Sequence, residues 1–187
     1  FSKDMATRLG SENYWSYFAV GGDYFSFVYQ VEDTKPYDSV NSYRCLALYN
    51  MRTEEVENIT QERLHIKERP FISDGTVVYA AGELADQGHI DAVFIEKYDI
   101  ASKGRGRIQN DVHSAEVLDF DGEWASYTFI ESSVGSNEEY RIRNIETGRT
   151  YSIPLIHANE FEKVVLPGGA DVVFTNNSEV HWSFAGS

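Results

Sequence analysis

The chain has 187 residues, 42% of them hydrophobic, which suffices for one compact domain with a sizeable core and argues against disorder. Lys and Arg number 16 against 30 Asp and Glu, and the resulting net charge of −14 excludes nucleic acid and anionic membrane surfaces as favoured partners. The single cysteine, Cys45, excludes an internal disulfide framework, and no apolar stretch is long enough to insert into a membrane.

In chain order, the first clear element is the run Tyr24-Phe25-Ser26-Phe27-Val28-Tyr29, rich in aromatic and β-branched residues and therefore a strand. It follows a tight glycine turn, Gly21-Gly22-Asp23. A further strand over residues 43–51 contains Cys45-Leu46-Ala47-Leu48, which makes Cys45 a small buried hydrophobe. The second unit reads as strands over 69–73, 76–81, 92–100 and 107–110, with Asp74-Gly75 as its first turn. Between its last two strands, Lys103-Gly104-Arg105-Gly106-Arg107 is a solvated turn. Asp121-Gly122 opens the corresponding turn of a third unit, and Gly168-Gly169 that of a fourth. The segments after these turns start at Tyr24, Thr76, Glu123 and Ala170, spaced by 52, 47 and 47 residues. That period fits a four-stranded blade.

Four antiparallel strands per unit, repeated radially, describe an all-β fold, a β-propeller with about four four-stranded blades. The blades fall at about 14–60, 67–110, 114–154 and 160–187, the last completed by residues 1–10, and together form a single domain over 1–187. The fourth unit stops at its third strand, Val180-His181-Trp182-Ser183-Phe184, while Asp4-Met5-Ala6-Thr7 repeats the pattern of Asp99-Ile100-Ala101-Ser102. Closing the last blade with the N-terminal strand removes the exposed sheet edges. The alternative is half of an eight-bladed ring, completed by a second copy or by further chain.

Two blades carry a fuller signature: Asp74-Gly75 with Tyr98-Asp99-Ile100-Ala101-Ser102, and Asp121-Gly122 with Asn144-Ile145-Glu146-Thr147-Gly148. In these residues the chain resembles the TolB/WD40-like propeller superfamily, whose blades combine an Asp-Gly turn with a strand ending in Asp-Leu-x-Thr-Gly. The Trp-Asp dipeptide of true WD repeats is missing. The resemblance implies a propeller fold, found with many functions, and favours an extracellular or periplasmic location.

Candidate chemistry lies in a repeated string, His65-Ile66-Lys67-Glu68, His113-Ser114-Ala115-Glu116 and His157-Ala158-Asn159-Glu160, with a degenerate copy at Leu9-Gly10-Ser11-Glu12. Each string is expected in a connection from the fourth strand of one blade to the first of the next. His89 and His181 belong to second-to-third connections, which emerge on the same face. The long acidic loops, 32–38, 83–91 and 131–139, share it too, so this face is the expected binding face. Its candidate contact residues are Tyr37, Asp38, Asp86, His89, Asp91, Glu138 and His181.

Three functions follow: binding, metal-dependent catalysis by a lyase or hydrolase, and, as a subunit or fragment, assembly of a larger propeller. On the first, the chain is a non-enzymatic binding or scaffold propeller without cofactor, presenting this face to a protein or carbohydrate partner or assembling into a larger oligomer. The recurring His–Glu pair then ties each loop to its neighbour. On the second, His65, His113 and His157 hold Zn²⁺ or Mn²⁺ with Glu68, Glu116 or Glu160 as base, as in some propeller lyases that the resemblance brings in. The acidic loops could also gather Ca²⁺. No nucleophile elbow or phosphate-binding glycine loop is present, and Asp119-Phe120-Asp121-Gly122 reads as a β-turn and not as a calcium loop.

Overall fold

A computed structural model describes residues 17–32, 42–60, 64–84, 90–132, 138–154, 162–165, 170–174 and 180–184; for residues 32, 42, 91 and from 153 onward only the backbone is described. Every regular element among them is a strand, and no helix is long and apolar enough to cross a membrane. The first sheet contains β1 (Phe18–Gly21), β2 (Tyr24–Glu32), β3 (Ser42–Asn50) and β4 (Val56–Asn58), each antiparallel to its sequence neighbour. The second contains β5 (Leu64–Ile66), β6 (Phe71–Ser73), β7 (Thr76–Leu84), β8 (Ile90–Asp99) and β9 (Arg105–Val112). Both β5 and β6 pair with β7, so they are two halves of one interrupted first strand. The third sheet is β10 (Ser114–Phe120), β11 (Trp124–Ile130), β12 (Glu139–Asn144) and β13 (Thr150–Pro154). A fourth joins β14 (Glu162–Val165), β15 (Ala170–Phe174) and β16 (Val180–Phe184).

The repeat read from glycine turns thus corresponds to sheets, with third strands at the expected places. Residues 1–10, expected to close the last blade, and the Gly168-Gly169 turn lie outside the described residues.

The turn after each third strand is built the same way. Asn50 Oδ1 accepts the N–H groups of Arg52 (2.9 Å) and Thr53 (3.2 Å), and Asn144 Oδ1 those of Glu146 (3.1 Å) and Thr147 (2.8 Å). Asp99 Oδ1 does the same for Ser102, taking its N–H at 2.7 Å and its hydroxyl at 2.5 Å. A short polar side chain bonding its own downstream backbone fixes the turn locally. Each turn then docks on the first turn of its own sheet: the N–H groups of Met51, Ile100 and Ile145 donate to the carbonyls of Asp23, Gly75 and Glu123, at 2.8, 2.9 and 2.9 Å. One residue per turn adopts the left-handed conformation, Glu54 (φ 59°), Lys103 (φ 57°) and Gly148 (φ 71°).

Successive sheets pack face to face. Val28, Leu46 and Leu48 of the first meet Val77, Tyr79, Ala81 and Phe94 of the second. The opposite face of the second, with Val78, Ala80, Val93 and Ile95, meets Ala115, Val117, Tyr127 and Phe129 of the third. The alternation of side chains along β7 divides it between these two cores, which is why it reads as a continuous apolar run. Each fully buried side chain of this size contributes roughly 1.5–3 kcal/mol. Cys45 is buried on the first sheet's other face beside Phe27, Tyr29 and Ala47.

Candidate functional site

The sheets present two ends, and the loop end carries the residues singled out in the sequence. There His65 sits within β5, opposite Gly82 of β7, and not in the connection expected for it. The charged stretch Lys67-Glu68-Arg69 and the buried Pro70 interrupt the first strand after His65. Proline has no N–H to give to the ladder, so such an interruption makes a strand half look like a linker. The His65 ring is half-buried, and burial together with the cations of Arg44 and Lys67 lowers its pKa from 6.5 to about 4. It is therefore neutral at physiological pH, and its cationic neighbours oppose a metal ion there. His113 is the single residue between β9 and β10; its backbone N–H donates to the Ile130 carbonyl (2.9 Å) and its side chain is exposed.

Carboxylates converge at this end. Glu116 lies on β10 opposite Thr128, and its pKa is raised by partial burial and by the charges of Glu68 and Glu138. Glu68 comes from the interrupted first strand of the second sheet, Glu138 from just before β12 of the third. Glu116 thus senses one carboxylate from the second sheet and one from its own.

Arg107 on β9 pairs with Asp111 (2.6 Å) and Glu83 (3.1 Å), and its guanidinium lies 3.5 Å from the Phe94 ring centroid.

The other expected residues fall differently. Asp91 is placed by its backbone in β8, at the register shift opposite Glu83 and Leu84, and His181 in β16 opposite Val173. Tyr37, Asp38, Asp86, His89, His157 and Glu160 lie outside the described residues. Among the described residues no group of three or more His, Cys, Asp or Glu side chains is arranged to hold a metal ion. Asp121 of the string Asp119-Phe120-Asp121-Gly122 uses Oδ1 to accept the N–H groups of Glu123 (2.8 Å) and Trp124 (2.7 Å), as a β-turn does.

The turn end holds a feature the sequence did not reveal, a cleft of about 770 Å³ between the first and second sheets. Tyr24, Leu48, Val56 and Ile100 give it apolar walls, while Asn50, Glu54, Glu55, Glu57 and Lys103 give it polar ones. Glu57 bridges the sheets, accepting from the Tyr98 hydroxyl (3.0 Å) and from Lys103 Nζ (2.9 Å). Desolvation and this carboxylate push the Tyr98 hydroxyl up to about 12, so it remains a donor.

No family model matches the sequence, and no curated protein does so either. Solved structures do. The β-propeller domain of the Trilobed protease from Pyrococcus furiosus, described as having an open velcro topology, matches at TM-score 0.54 and 13% identity over 86% of this chain and 47% of that one. The acylaminoacyl peptidase of Pyrococcus horikoshii matches at TM-score 0.54 and 10% identity, over 86% of this chain and 27% of that one. This chain therefore spans less than half the length of either. At such identities the likeness concerns fold alone, and with the all-antiparallel sheets it establishes that the chain has a β-propeller fold resembling these domains.

Proposed function

We propose that the chain is a non-enzymatic binding propeller whose acidic loop end receives the basic surface of a protein partner. One observation carries this reading: beside partial burial, the charges of Glu68 and Glu138, from two sheets, act on Glu116 and raise its pKa. Like charges held together on a rigid scaffold cost stability, and an opposite charge arriving from a partner relieves that cost. The geometry around His65, with Arg44 and Lys67 beside it, favours this reading over a histidine-held metal.

The test is a screen of basic, neutral and acidic peptide arrays with the intact chain and with Glu68→Gln/Glu116→Gln/Glu138→Gln. Binding confined to basic peptides and weakened about tenfold or more in the triple variant is the expected outcome. Equal retention by both proteins contradicts it. Elemental analysis of protein purified without a histidine tag addresses the enzymatic alternative: a stoichiometric transition metal, lost in His113→Ala, would favour a metal-dependent lyase or hydrolase.

A second reading is supported by the fraction of the matched chains that this one covers, 47% and 27%. On that reading the chain is one portion of a larger propeller assembly. Light scattering of the purified chain tests it: a dimeric mass supports completion of the ring by a second copy, and a monomeric mass counts against that.

A further inference from the structure

At the turn end, the two inter-sheet seams differ at one equivalent position. Leu48 and Lys97 each stand two residues before the polar side chain that caps the third-strand turn, Asn50 and Asp99, and each faces the next sheet. From the second sheet Lys97 crosses the seam to the third, where Nζ donates to the Ile145 carbonyl (3.0 Å) and pairs with Glu146 (2.6 Å). Its stem runs beside Gly106 of the neighbouring strand, where an added Cβ would stand in van der Waals contact, 3.6 Å from Lys97 Cε. At the first seam Leu48 is too short to cross, and the residue equivalent to Ile145 is Ile100. Leu48 and Ile100 are two walls of the 770 Å³ cleft. The tie there runs the other way, from Lys103 back to Glu57. Glu54 and Glu55, also lining the cleft, have no cationic partner among the described residues.

We infer that this cleft is a second binding site, on the end opposite the acidic loops, and that it takes a lysine side chain of a basic peptide. The aliphatic stem lies along Leu48, Val56 and Ile100, as the stem of Lys97 lies along its own seam. The ammonium group reaches the carboxylates of Glu54 and Glu55 at the mouth, which supply the charge that Glu146 supplies to Lys97. Lysine suits the space better than arginine because the fold already places a lysine in the equivalent seam.

The probe is a fluorescein-labelled hexalysine peptide, followed by fluorescence anisotropy at physiological ionic strength against the intact chain. Leu48→Lys supplies the missing side chain from within, and is expected to weaken the turn-end component of the binding about tenfold; Thr150→Lys, which adds the same charge at an exposed position on the third sheet, changes it less than about twofold. Should Leu48→Lys fail to fold, Glu54→Gln/Glu55→Gln, at two exposed positions, is expected to give a comparable loss. The Glu68→Gln/Glu116→Gln/Glu138→Gln variant is expected to retain the component that Leu48→Lys removes, which separates this site from the loop end. No saturable binding, or equal losses in Leu48→Lys and Thr150→Lys, overturns the inference.

Discussion

Glu54, Lys103 and Gly148 occupy the same place in three successive turns, and only the last is a residue for which a positive φ is free of steric cost. A side chain in the left-handed region costs roughly 1–2 kcal/mol, partly offset because glycine loosens the unfolded chain. Glu54→Gly is therefore expected to raise stability by about 0.5–1 kcal/mol, and Gly148→Ala to lower it by about 1 kcal/mol, both read from urea midpoints. His65 gives a second residue-level expectation. Its folded pKa, about 4, lies below the ordinary 6.5, so between these values the unfolded chain binds more protons. The contribution to stability is complete above pH 6.5 and is lost as pH falls toward 4. Allowing for screening of a half-exposed ring, the loss is on the order of 1 kcal/mol. His65→Gln should flatten the pH dependence of thermal unfolding in that window, and an unchanged slope would place its origin elsewhere.

At the level of elements, the seams are held by an apolar middle, by Gln109 Oε1 of the second sheet accepting from Arg141 (2.8 Å) and the Tyr127 hydroxyl (3.3 Å) of the third, and by polar ties near the turn end. Lys97 to Ile145 and Glu146, Ser73 Oγ to the Asp121 carbonyl (2.9 Å) and Glu57 to Tyr98 and Lys103 are the ties of this kind. Lys97→Met keeps the stem and removes the partly buried donor, and is expected to cost about 1–2 kcal/mol in denaturant unfolding. The third strands and their turns were legible in the sequence because their signals are local: an Asx residue bonding its own backbone, and glycine at positive φ in the first turns, Gly22, Gly75 and Gly122. The split of one strand into β5 and β6 was not. Three residues, Leu64-His65-Ile66, are too few to show alternation, and the charges and Pro70 after them have the composition of a connection. The cleft was hidden for another reason: it depends on what Leu48 faces across a seam, a relation set by register and not by neighbours in sequence.

For the whole molecule, the repeat period and the alternation of apolar faces carried the fold, since a propeller blade is one supersecondary unit whose faces are buried by its neighbours. Function was carried less far. That Glu68 and Glu138 act on Glu116 depends on two sheets meeting, although Glu68 and Glu116 themselves stand three residues after His65 and His113 in the repeated string. The binding role proposed for the loop end requires Glu68 and Glu138 to act on Glu116. Carbon-13 NMR titration of the Glu116 carboxyl is the most direct measurement of this. Its pKa should stand above the ordinary 4.5 and fall when either Glu68→Gln or Glu138→Gln is introduced. An ordinary titration, indifferent to both substitutions, would contradict the account.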